Sequence, residues 1–428
     1  MNMQKPSPNQ TRAWVMYDWA NSVYPLIISS AIFPIFYEKV TRDASNGVVQ
    51  FLGHSFINTE FYGYVVAASY LVVALFSPIL SGMADSTGKK KSYLEAFCYL
   101  GGVACMGLYF FDAQHIGTSM LALFFASIGY WGSLVFYNAY LPEVALPADQ
   151  DKISARGFAM GYLGSSLLLI LVLVGAVFNH WFTIRQSFLL VGLWWIGFAQ
   201  VTLRILPHTK PAYTASSGIL TRGYHEIKKV WKEVRNHLQL KRFLYAYFLY
   251  NMGVQTVMIM AVPFATKAIS WSNDQERSQS LIISILLIQF LGIAGSFIIS
   301  KASAVWGNLR TLLVLIFMWI LICAGTYGLV HTPVHFYAVA ASVGLVMGGI
   351  QSLSRSTFSK MLPETQDHAS YFSFFDVSEK VGLAIGTSMF GLIEGLTGGI
   401  RQSVLSVVIA FVLGFVLLLR VPKSQQVG

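Results

Sequence analysis

The stretch Gly82-Met83-Ala84-Asp85-Ser86-Thr87-Gly88-Lys89-Lys90-Lys91 separates two long apolar runs, 61–84 and 93–111, and its reading decides the fold. Three consecutive lysines between apolar runs mark a short loop held on the positive side of a bilayer. Ten further apolar runs extend the pattern in both directions: 14–37, 119–140, 157–178, 186–205, 243–266, 280–300, 311–330, 334–358, 371–393 and 402–420. Each is close to the ~20 residues that a helix needs to cross the hydrocarbon core. The connections are short and polar, and no alternating barrel strands of ~10 residues occur. Backbone polar groups in lipid must be satisfied within the segment, so an all-α membrane protein of twelve transmembrane helices is expected.

Composition agrees. Of 428 residues, 55% are apolar and 11% charged, and the mean hydropathy is +0.58. A soluble domain carries roughly 25% charged residues, so a cytosolic globule is excluded and little chain remains for an extramembrane domain. The net charge of +10 belongs to loops rather than to a nucleic-acid surface. With the N-terminus inside, 23 of the 29 Lys and Arg fall on the cytoplasmic side, Lys5 and Lys423 among them, and 6 fall outside. Both termini are therefore expected in the cytoplasm. Cys98, Cys105 and Cys323 lie in apolar runs without a CxxC pattern, as small core residues rather than disulfides or zinc ligands. No cleavable signal pattern is expected, because the first apolar run continues into a full span.

Three regions follow: a first six-helix bundle (1–206), a cytoplasmic linker (207–241) and a second bundle (242–428). In the linker, Leu220, Tyr224, Ile227, Trp231, Val234 and Leu238 form one apolar helical stripe, with Arg222, Lys228, Lys229, Lys232 and Arg235 on the other face. Such a helix fits the inner leaflet or packs under the bundle, and both readings stay open. The halves also repeat. Leu141-Pro142-Glu143 falls on Leu362-Pro363-Glu364 at an offset of 221, which also carries Gly161 onto Gly382 and Lys89 onto Arg310. At the first span the offset is 233, placing Tyr17-Asp18 on Tyr250-Asn251. Pseudo-symmetric six-helix halves are common in secondary transporters.

The 82–91 stretch resembles the loop-two signature of the major facilitator superfamily. Gly82 permits close helix approach, Gly88 a tight turn, and Asp85 can face a helix N-terminus; in the superfamily that helix is span eleven. Lys89, Lys90 and Lys91 hold the loop at the leaflet and cap helix ends. The equivalent Ser303–Arg310 loop keeps a Gly and the Arg but lacks the Asp. Tyr17-Asp18-Trp19-Ala20-Asn21-Ser22-Val23-Tyr24, Gly348-Gly349-Ile350-Gln351-Ser352-Leu353-Ser354-Arg355-Ser356, Ser154-Ala155-Arg156-Gly157 and Gly161-Tyr162-Leu163-Gly164 resemble the vacuolar amino-acid effluxer-like branch of that superfamily. The resemblance implies the twelve-helix facilitator fold in a bacterial inner membrane. It also implies a cavity lined by spans one, four, seven and ten; amino-acid efflux is known for fungal relatives.

Ionisable and polar groups inside spans are costly and mark candidate sites. Asp18, Asn21 and Tyr24 share a stripe of span one; Asp18 either takes a proton, pairs with a cation or caps a solvated helix end. Gln351 and Arg355 are one turn apart in span ten, where the guanidinium suits a substrate carboxylate or a structural pair. Asp376, Glu379 and Lys380 share a face of span eleven and, with Arg355, form a charge-balanced candidate network for coupling or gating. Tyr250, Asn251 and Gln255 in span seven, and Tyr137, Asn138 and Glu143 at the end of span four, are pocket candidates by resemblance or helix-to-helix bonds. Gly157/Gly161, Gly344/Gly348 and Gly382/Gly386 have small-xxx-small spacing for close packing.

These features favour a secondary active transporter of a small organic solute over a channel, an enzyme or a non-transporting receptor. There is no Walker A motif, no filter motif, no HExxH and no GxSxG. No metal or cofactor is expected; the expected partners are a small-molecule substrate and the bilayer, with no nucleic acid, and the chain is expected to be a monomer. A uniporter or a sugar, peptide or drug carrier stays open, although span five lacks the Gly-Pro element typical of drug antiporters.

Overall fold

A computed structural model describes residues 7–208 and 219–422. Lys5, Lys423, linker residues 209–218 and the side chains of Leu220 and Arg222 lie outside what is described. In chain order the helices are α1 (Pro8–Asn21), α2 (Phe33–Ser45), α3 (Asn58–Thr87), α4 (Lys90–Gly107), α5 (Ile116–Asn138), α6 (Leu141–Val144), α7 (Gln150–Val172), α8 (Ile184–Ile205), α9 (Ile219–Asn236), α10 (Leu238–Ala268), α11 (Asp274–Trp306), α12 (Asn308–Leu329), α13 (Pro333–Lys360), α14 (His368–Thr397) and α15 (Ile400–Leu419). Each of the twelve apolar runs falls on one of these helices or its continuation. Among the described residues, 11 stretches are long and apolar enough to cross a membrane. The helix α14 is not one of them, although its 30 residues suffice in length, because Asp376, Glu379, Lys380 and Glu394 lower its hydropathy.

Local chemistry sets the helix ends. Ser7 caps α1 in a capping box with Gln10, followed by Pro at the first helical position, and Thr183 caps α8 with Gln186 in the same way. Gly88 closes α3 in the left-handed region at φ 68°, where a side chain would be strained. Between α1 and α2 the chain stays helical through a wider π turn, Tyr24–Ala31, with Pro25 in its first turn; Ser30 Oγ donates to the Pro25 carbonyl at 2.8 Å. One element was not expected from the sequence. Val48–Phe51 and His54–Ile57 form a small antiparallel hairpin between α2 and α3. Its turn residues Leu52 and Gly53 both have positive φ (49° and 80°), the geometry that two-residue hairpin turns need.

The chain divides into two compact units. The first comprises Met1–Tyr140 and Met160–Tyr224, the second Leu141–Ala159 and His225–Gly428, so the chain passes between them before α6, within α7 and within α9. In the first unit α4 packs on α5 and α8, α1 on α8, and α3 on α5. In the second, α11 packs on α13, α12 on α15, and α10 on α14 and α15. Three pairings recur at equivalent places in the two halves of the sequence: α3–α5 with α11–α13, α4–α8 with α12–α15, and α1–α8 with α10–α15. The glycines on the repeat offset behave alike. A Cβ on Gly161 would stand 2.4 Å from Ser22 Oγ on the first span, and one on Gly382 would stand 3.3 Å from the Phe248 carbonyl on α10. The offset in the sequence is thus matched by repeated packing.

Candidate functional site

In the first unit, Asp18 is buried and accepts a hydrogen bond from Tyr137 Oη at 2.8 Å. Tyr137 is itself fixed: Trp14 stacks on its ring at 4.6 Å and donates its indole N–H to the Tyr137 carbonyl at 2.9 Å. One turn along, Asn21 is buried, and its Nδ2 has no hydrogen-bond partner among the described residues. Tyr24 stacks on Tyr130 at 4.9 Å. Asn138 is half-buried beside Tyr137 on α5.

The loop-two residues lie in this unit too. Gly82 and Asp85 are buried, and Gly88 makes the turn. The lysines divide. Lys90 is fully buried, its ammonium 4.9 Å from the Tyr140 ring centre; Lys91 donates to the Leu206 carbonyl at the end of α8 at 3.0 Å; Lys89 is exposed. Two of the three therefore bind protein rather than solvent, one of them at a helix C-terminus where a cation is favourable.

In the second unit, Asp376 and Lys380 pair one turn apart on α14, both nearly fully buried. Glu379 turns instead to α10: Gln255 Nε2 donates to Oε1 and Tyr247 Oη to Oε2. Phe375 stacks on Tyr247 at 4.0 Å and fixes that ring. Tyr250 Oη bonds Ser354 Oγ on α13 at 2.8 Å. Asn251 is buried, and its Nδ2 lacks a partner among the described residues. Gln351 is half-buried one turn before Arg355. Arg355 is buried among other groups: Nε donates to Ser154 Oγ at 2.9 Å, Nη2 to the Ser154 carbonyl at 3.0 Å, and the guanidinium lies over Phe158 at 4.3 Å. Ser154 in turn donates to the Ser352 carbonyl at 2.7 Å.

Reading residue types within spans could not find several of these groups. Ser154, Tyr247 and Ser354 are ordinary residues whose importance lies in their partners. Asp151, at the start of α7, accepts from Ser303 at 3.1 Å and Asn308 at 2.9 Å and pairs with Lys360 at 2.7 Å. The loop after α11 lacks the acid of its counterpart in the first half, and here a carboxylate reaches it from α7. Glu143 meets His368 at 3.1 Å, at the start of α14.

These features have close parallels. A family model described as "Vacuole effluxer Atg22 like" matches residues 7–427. An uncharacterized MFS-type transporter of Bacillus subtilis, YxiO, is 30% identical over 407 residues, covering 92% of this chain and 91% of that protein. Autophagy-related protein 22-1 of Penicillium rubens is 24% identical, covering 90% of this chain and 85% of its own. Among solved structures, the major facilitator transporter FucP in its outward conformation matches with a TM-score of 0.70 at 12% identity, covering 97% of this chain and 99% of FucP. A bacterial homologue of the iron transporter ferroportin, outward-facing, matches at 0.66 and 13% identity over 96% of this chain and 98% of its own. The polar clusters therefore sit in a facilitator fold, and the chain belongs to the Atg22-like branch of the major facilitator superfamily, as a multi-pass membrane transporter.

Proposed function

We propose that the chain is a secondary active transporter that moves a small organic solute by alternating access, driven by protons, with an amino acid or related metabolite exported from the cytoplasm. The observation that carries the coupling is Glu379. It sits on a span, and both its oxygens are held by neutral side chains of α10, Tyr247 and Gln255. These two donors favour the anion, but a carboxylate inside a span stays costly when charged, and we infer that taking up a proton relieves that cost in one state of the cycle. The neighbouring Asp376–Lys380 pair is internally balanced and needs none.

Roles for the other candidates follow from what each side chain has left to offer. Asn21 and Asn251 have amide nitrogens without partners among the described residues and can donate to a solute carboxylate or carbonyl. Tyr24, Asn138, Tyr250, Gln255 and Gln351 complete the solute-lining set. Arg355 already spends two of its donor nitrogens on Ser154, so we assign it to gating rather than to substrate. Asp18, held by Tyr137, is the second proton-carrying candidate. The vacuole effluxer description of the family supports the efflux direction.

The test is a thermal-shift screen of the purified protein against amino acids, dipeptides and sugars, followed by flux in proteoliposomes containing a pH-sensitive dye. An amino acid raises the melting temperature, because a ligand stabilises the state it binds, and its flux moves protons. Glu379→Gln keeps the thermal shift and loses the proton movement. Solute flux without proton movement overturns the coupling. A shift from sugars or dipeptides alone overturns the substrate class.

A further inference from the structure

The helix α9 segregates its side chains in a way its sequence stripe did not show. Its buried face is Glu226, Val230 and Val234, and Glu233 on the same side accepts from Tyr371 Oη at 2.6 Å. Both acids of the helix are thus turned toward α14. Away from that face Tyr224 and Trp231 are exposed, at 61% and 55%, the Trp231 ring flanking the docked side with its centre 5.7 Å from that of Phe374 on α14, and Leu238 continues the same seven-residue spacing at 48% on the first turn of α10. Around them stand the exposed cations Lys228, Lys232 and Arg235, with no acid among them. A single residue, His237, separates α9 from α10, and it caps α10 by accepting from the Leu240 amide. Since α10 is long and apolar enough to span, this junction puts α9 at the level where hydrocarbon gives way to headgroups.

We propose that this outward face of α9 binds the anionic headgroups of the adjacent leaflet, with Tyr224, Trp231 and Leu238 entering the interface and Lys228, Lys232 and Arg235 meeting lipid phosphates. Charge complementarity selects this occupant: three cations without an acid suit a negatively charged surface. Aromatic rings with a polar edge favour the boundary between headgroups and chains. Val230, Val234 and the two acids hold the helix to α14 and keep that face turned outward. The inference does not depend on the transported solute.

The experiment is hydrogen–deuterium exchange of the full chain in nanodiscs of phosphatidylcholine alone or of equal parts phosphatidylcholine and phosphatidylglycerol. Peptides covering 224–238 exchange more slowly in the phosphatidylglycerol discs, by up to about a hundredfold for three cations at an anionic surface. The variant Lys228→Gln/Lys232→Gln/Arg235→Gln exchanges like the parent in phosphatidylcholine, which checks its fold, and loses the phosphatidylglycerol effect. Equal exchange in the two discs overturns the proposal, and so does an effect that survives in the triple variant. Polyglutamate added to the phosphatidylcholine discs leaves exchange unchanged; equal protection from it would overturn the lipid assignment in favour of an acidic protein partner.

Discussion

Glu226 is buried where α9 meets the start of α14. Lys229 Nζ bridges Glu226 Oε1 at 3.1 Å and Asp367 Oδ2 at 2.7 Å, and Thr365 donates to the same Asp367 oxygen at 3.2 Å. Two carboxyls thus share one ammonium. Burial, then the charge of Asp367 and a hydrogen bond to it, push the Glu226 carboxyl up from 4.5 to about 7, against the opposing pull of Lys229. Because the value in the folded chain lies above that in the unfolded chain, the docked helix holds a proton that the detached helix releases. Docking is strongest below pH 4.5 and weakens as pH rises toward 7. The full change corresponds to about 3 kcal/mol, a ceiling because the three groups titrate together. Glu226→Gln fixes the neutral form and keeps an amide that can donate to Asp367. At pH 8, α9 in this variant opens about tenfold to a hundredfold less often than in the parent; at pH 4 the two are nearly equal. Exchange of the 224–236 amides in phosphatidylcholine nanodiscs reads this directly, once corrected for intrinsic rates, and lipid charge does not interfere. Parent and variant opening equally at pH 8, or a parent whose corrected exchange is flat between pH 5 and 8, would refute the shared-proton reasoning.

Lys380→Ala leaves Asp376 as an unbalanced buried charge and costs about 3–5 kcal/mol; adding Asp376→Asn recovers much of the lost melting temperature, and an equally unstable double variant would count against the pair. Gly129→Ala places a Cβ 2.3 Å from the Gly101 backbone and lowers the melting temperature, whereas Gly197→Ala, with nothing within 4 Å, is neutral or stabilises by up to about 1 kcal/mol. Asp85→Asn reaches the membrane at normal abundance but transports poorly; unchanged flux kinetics would remove the loop-two carboxylate from the gate.

The spans were legible because hydropathy is a local property. A run of about 20 apolar residues has few options in a bilayer, and Gly88 and Pro8 mark their helix ends by their own backbone chemistry. The repeat was legible because Gly161 and Gly382 sit at equivalent close approaches to the first span and to α10, the tighter at Gly161. The candidate site was half legible. Intramembrane acids and bases stand out at any position, so Asp18, Arg355, Asp376, Glu379 and Lys380 could be named. The one-turn spacing also named Asp376 and Lys380 as partners; the partners of Asp18, Arg355 and Glu379 could not be named.

By itself, then, the sequence determined the number of apolar runs, the facilitator resemblance and the short set of charged groups inside the spans. Tertiary structure decided what those groups meet. Arg355 finds Ser154, 201 positions earlier in the chain, and Glu379 finds Tyr247 and Gln255 rather than the lysine next to it. It also decided which side of α9 is buried. The apolar stripe of the linker left open whether Tyr224 and Trp231 meet the leaflet or pack under the bundle; in the structure Glu226 is buried and both rings are exposed. The physical reason is the same throughout. Helix formation and hydropathy depend on near neighbours, whereas the partner of a buried charge depends on which distant helix the packing brings within hydrogen-bond reach.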